Sequence, residues 1–183
     1  MSTDKQDVIA LLEEQHKEIR RLFGEVEQAS GEERRDAFHD LVRMLSVHET
    51  AEEELVHPEV RRLAEGEQVV EARLGEEQRA KELLSTLDEM GPEAEGFDTL
   101  LLQLKEDVLA HAEHEETAEF PLLRQAHDQR RLEAMADTVR AAEAVAPTRP
   151  HPGTESAAKN VLLGPPAALV DRARDAIRGA LGK

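Results

Sequence analysis

The apolar residues of this chain recur by threes and fours and nowhere alternate with period two, so helices are predicted and no strand. A first helix, from about Asp4 to Ala29, carries Ile9, Leu12, Ile19, Phe23 and Val26 on one stripe, and Ser30-Gly31 stops it. A second starts near Glu32 with Phe38, Leu41, Leu45 and Leu55 in phase; Pro58 falls inside it and predicts a kink. A third, from about Gln68 to Met90, uses Val70, Leu74, Leu84 and Leu87 and ends at Gly91-Pro92. A fourth starts near Gly96 and uses Phe97, Leu101, Leu104, Val108 and Leu122, with Pro121 late in it. Four helices of ~20–30 residues with short connections predict an all-α fold, an up-down-up-down four-helix bundle over residues 1–130. Residues 131–153 read as a short helix, through Leu132, Met135 and Val139, followed by a Pro-rich linker at Ala146–Gly153. Residues 154–183 form a C-terminal helical extension with Leu169, Val170, Ala173, Ile177 and Leu181 on one face, which docks back or meets a partner.

Polar residues interrupt these stripes at matching depth. Residues 48–58 read HETAEEELVHP and residues 111–121 read HAEHEETAEFP; both fit H-x3-E-E-x4-P, 63 residues apart, on the second and fourth helices. Histidine and glutamate four residues apart project from one helical face. Stepping through the second helix gives Phe38, Leu41, Leu45, His48, Glu52 and Leu55. The fourth gives Leu104, Val108, His111, Glu115, Ala118 and Leu122. The first helix inserts His16 between Leu12 and Ile19 in the same way. A lone histidine on an apolar stripe is usually a satisfied core residue, and one H-x3-E pair is commonplace in a chain this rich in Glu. Two copies with matched prolines, both in phase with the core, are not.

Burying three imidazoles and two carboxylates without partners costs several kcal/mol per group, so the layer must neutralise itself or bind cations. Imidazole with carboxylate suits iron, manganese or zinc better than calcium or magnesium, and two glutamates offer bridging oxygens for a dinuclear centre.

Composition narrows the chemistry further. The chain has no Cys, which excludes disulfides, thiolate metal sites and thiol catalysis. It has no Trp or Tyr, so no aromatic radical relay is expected beside the site. A formal net charge of −17 argues against nucleic acid or an anionic membrane as partner. No apolar run approaches the ~18 residues of a membrane span, and the first residues lack a secretory apolar segment, so a cytoplasmic location is expected.

The succession of a histidine, H-x3-E, and a second H-x3-E resembles the hemerythrin-like HHE cation-binding domains of bacteria, over roughly residues 4–130. The resemblance implies terminal nitrogen ligands at His16, His48 and His111. It also implies bridging carboxylates at Glu52 and Glu115, between two iron ions joined by an oxo or hydroxo group, with manganese or zinc as lesser alternatives. The family supplies a further histidine from its third helix, where this chain reads Glu76-Glu77-Gln78. Glu77 lies on the Val70–Leu84–Leu87 stripe and is the candidate replacement; Gln78, His57 and His114 remain alternatives. A carboxylate there favours redox or sensing chemistry with oxygen, peroxide or nitric oxide over reversible oxygen transport. Peroxide decomposition is one enzymatic form of it. The rivals are an iron- or oxygen-responsive binding module whose output is the C-terminal segment, and a metal-free structural bundle. Either a monomer or a homodimer is compatible with the pattern.

Overall fold

A computed structural model describes residues 5–145 and 166–182, and every regular element among them is helical. The bundle comprises α1 (Val8–Gln28), α2 (Gly31–Ala51) continued by a π-turn at Glu52–Val56 and α3 (His57–Val60), α4 (Gly66–Met90), and α5 (Phe97–His114) continued by a second π-turn at Glu115–Glu119 and α6 (Phe120–Ala126). Two further helices, α7 (Gln129–Val145) and α8 (Pro166–Ala180), lie outside the four. The linker expected at Ala146–Gly153 falls outside the described residues, as does the side chain of Leu169.

The first helix begins at Val8 rather than near Asp4, because the Asp7 carboxylate accepts the Ala10 N–H at 2.9 Å and caps the helix there. Gly66 sets the turn from α3 into α4: a Cβ at this position would stand 1.8 Å from the Val60 carbonyl oxygen. Only glycine lets the third bundle helix start this close to the end of the second.

The expected kink at Pro58 takes the form of a π-turn. The His57 N–H reaches back to the Glu52 carbonyl, and in the fourth helix the Phe120 N–H reaches Glu115. Proline supplies no N–H for an α-helical bond and its ring would press on the preceding turn, so each helix widens just before Pro58 and Pro121. The wider turn holds one extra residue, and this corrects the expected stripe of the fourth helix. Ala118 is exposed and Leu122 only half-buried, whereas Glu119 and Leu123 are fully buried.

The interior separates into two apolar clusters. One joins Ile19, Phe23, Phe38, Leu41, Leu84, Leu87, Phe97 and Leu101, with Phe38 and Phe97 meeting edge to face at 5.1 Å. The other joins Leu12, Val56, Val60, Val70, Phe120 and Leu123 to Leu132, Met135, Val139 and Ala142 of α7 and Ile177 of α8. So α7 and α8 complete the second cluster. Arg174 and Arg178 of α8 also bind Glu54, within the first π-turn. Between the clusters lies the polar layer.

Candidate metal centre

The bundle brings His16, His48, Glu52, Glu77, His111 and Glu115 together, all buried. Ligand atoms of His16, His48, Glu52 and Glu115 lie within 4.8 Å of one another, and so do those of Glu52, Glu77 and His111. The two carboxylates common to the layer each face both ways. Glu52 sets Oε1 3.3 Å from His48 Nε2 and Oε2 3.9 Å from His111 Nε2. Glu115 sets Oε2 3.2 Å from His16 Nε2 and Oε1 3.2 Å from His111 Nε2.

The remote ring nitrogens determine what these inner nitrogens carry. His16 Nδ1 lies 2.7 Å from the Glu116 carboxylate, His48 Nδ1 lies 2.8 Å from Gln15 Oε1, and His111 Nδ1 lies 3.0 Å from Glu76. Each partner atom is an acceptor, so each Nδ1 carries a hydrogen, and the nitrogen left to face inward for a cation is Nε2. His16 Nε2 and His48 Nε2 then face each other at 3.1 Å. All four oxygens of Glu52 and Glu115, with Glu77 Oε2 and His111 Nε2, are buried without a hydrogen-bond partner. Lone pairs converging this closely repel unless a cation stands between them. The residues therefore fit a pair of metal ions, with shared carboxylates and outer acceptors of the kind that orient ligating imidazoles.

Without metal, protons must take that role. Burial pushes Glu52 well above the usual carboxylate range, and the nearby Glu115 charge adds to it. Burial opposes ionisation of Glu115 and His111 too, but their mutual attraction wins, holding Glu115 low and His111 high. Burial and the neighbouring His16 depress His48 to about 3, which leaves it a neutral donor.

The third-helix alternatives resolve geometrically. Glu77 enters the layer. Gln78 is exposed and binds Glu82, and His114 is an exposed partner of Glu76. His57 is buried and clamps two carboxylates, with Nε2 2.6 Å from Glu77 and Nδ1 2.7 Å from Glu119. Burial opposes its charge, but the two hydrogen bonds raise it to about 10, so it donates from both nitrogens. Sequence reasoning missed Glu119, Gln15 and Glu143, the last because α7 was not linked to the layer. His127 sits apart, beside Glu59, and His151 lies outside the described residues.

The two halves of the site correspond. His48, Glu52 and His57 occupy the motif positions of His111, Glu115 and Phe120. Phe120 stacks on His16 at 5.9 Å, whereas His57 binds Glu77, so helix one and helix three play matching parts. Gln15 precedes His16 and accepts from His48; Glu76 precedes Glu77 and accepts from His111.

The family description "Hemerythrin HHE cation binding domain" matches residues 7–123. The chain belongs to this family. A crystal structure of an HHE cation-binding domain-containing protein from Mycobacterium kansasii shares the fold. It has a TM-score of 0.67 at 22% identity, covering 76% of this chain and 86% of that one. A curated DNA nickase from Nostoc sp. is 28% identical over 144 residues, 77% of this chain. This chain spans only 41% of that protein's length. As an HHE domain, the protein places a candidate His/Glu cation site at the centre of its bundle, and no described helix is long and apolar enough to cross a membrane.

Proposed function

We propose that this protein is a non-haem di-iron protein that binds or reacts with a small oxidant, namely oxygen, peroxide or nitric oxide, in oxidative-stress handling or sensing. The observation that carries this reading is the pair of glutamates whose four unpartnered oxygens are divided between two donor groups. His16 and His48 would hold one ion, His111 and Glu77 the other, with Glu52 and Glu115 shared. Mixed imidazole and carboxylate donors suit iron, with manganese or zinc as alternatives. Iron held there would exchange electrons with the oxidant.

The chain's own residues would define how such a ligand arrives. A small pocket flanks the layer, lined by Ile19, Leu45, Ala80, Val108 and Ala112 beside His16, His48 and His111. Its largely apolar walls favour an uncharged molecule over bulk water. Glu49 lines the same pocket, and burial raises its carboxyl to about 8, with Lys81 pulling the other way. A proton is therefore held within the pocket near neutral pH. The carboxylate of Glu77, in place of an imidazole, favours the oxidised ion and so favours reaction over reversible carriage.

The test is metal content per chain in protein purified without added metal, read with its visible absorption. About two irons per chain, with near-ultraviolet charge-transfer bands, are expected. One zinc, or no iron after anaerobic ferrous loading, overturns the di-iron reading. Peroxide turnover no faster than an equal amount of free iron overturns the enzymatic form alone.

A further inference from the structure

His48 is oriented from outside the four-helix bundle. Its Nδ1–H donates to Gln15 Oε1 at 2.8 Å, and the Gln15 Nε2 amide in turn donates to Glu143 Oε1 at 2.6 Å. Gln15 is buried, so both ends of its amide must find partners within the protein. Glu143 belongs to α7, beyond the residues 7–123 that match the HHE family. The carbonyl of Glu143 accepts from Arg43 at 3.1 Å, and Leu132, Met135, Val139 and Ala142 seat α7 in the apolar cluster. Glu143 is thus a fixed acceptor rather than a wandering surface carboxylate.

We propose that Glu143 is a positioning residue for the metal centre: by accepting the Gln15 amide it prevents that amide from flipping, and so fixes the His48 tautomer that turns a bare Nε2 toward the cation position. This rests on the metal-binding reading given above and adds a residue from outside the family's domain to it. An amide has one accepting and one donating end. With Glu143 in place, only the oxygen can face His48. Without it, Gln15 can turn its NH2 to Nδ1, which moves the ring hydrogen to Nε2 and blocks the coordinating lone pair. The equivalent histidine has no such dependence, because His111 Nδ1 meets the Glu76 carboxylate, which only accepts.

Glu143→Leu removes the acceptor outright, whereas Glu143→Gln keeps the side chain's shape but can donate as well as accept, and so no longer dictates which way the Gln15 amide faces. In metal-free, nitrogen-15-labelled protein, the His48 imidazole shifts should report the Nδ1–H tautomer in wild type and a mixture of tautomers in Glu143→Gln. In Glu143→Leu a substantial Nε2–H population should appear, at unchanged helical content. Anaerobic ferrous iron, titrated against a chelator, should bind Glu143→Leu weaker by roughly 10–100-fold, the usual penalty for losing an outer partner of a metal-bound imidazole. An unchanged tautomer in Glu143→Leu overturns the proposal. A shifted tautomer in a chain whose wild type takes up no iron supports the positioning and sinks the di-iron reading instead. A changed tautomer with unchanged iron affinity overturns the link to the metal centre.

Discussion

Replacing Glu52 with methionine is expected to empty the centre of metal and to raise the melting temperature of the metal-free protein. Glu52 is fully buried, both its oxygens lack hydrogen-bond partners, and burial pushes its carboxyl well above the usual carboxylate range. Methionine has a similar length and no polar atoms to satisfy. Exchanging a buried, unsatisfied polar group for an apolar one of like shape gains about 1–3 kcal/mol. For a chain of this size that corresponds to a rise of roughly 2–10 °C. Wild-type protein should regain the advantage once iron is present, because a ligand bound far above its dissociation constant adds ~3–4 kcal/mol. The measurements are metal content and paired thermal melts with and without iron. A metal-free Glu52→Met protein that melts below wild type would mean that Glu52 is a structural hydrogen-bonding group and not a ligand in waiting.

His57→Ala should act in the opposite sense. It leaves the Glu77 and Glu119 carboxylates facing each other across a void, with no counter-charge from His57. Breaking a buried pair from one side costs about 3–5 kcal/mol, so the metal-free variant should lose a large share of a domain's stability margin. Iron content should fall from two toward one, because Glu77 is no longer held against the layer. A second variant separates the two consequences. His57→Phe with Glu119→Val copies the Phe120 and Val56 that stand at the corresponding motif positions. It removes the clamp and one of its carboxylates together. It should recover most of the stability but not the second iron. If the double variant carries two irons, His57 serves the fold alone.

The helices, the bundle order and the convergence of His16, His48, Glu52, Glu77, His111 and Glu115 were legible because each lies on an apolar stripe of 3.6-residue period. That period fails at the π-turns, which is why Ala118 and Leu122 stood where Glu119 and Leu123 belong. Proline marked both places without revealing that the turn would widen. The outer partners were hidden for a different reason. Gln15, Glu76 and Glu143 flank the stripes, and only the packing of α7 on α1 shows that a glutamate far along the chain completes a hydrogen bond begun at His48. His57 could be read either way, since a residue beside a proline kink turns in a direction that local spacing does not determine.

The matching halves of the site differ chiefly where helix one offers His16 and helix three offers Glu77. One seat is thus bordered by two imidazoles, His16 and His48, and the other by one imidazole and the Glu77 carboxylate, which His57 also binds. Two ions placed there would be chemically distinguishable although the bridging groups are shared.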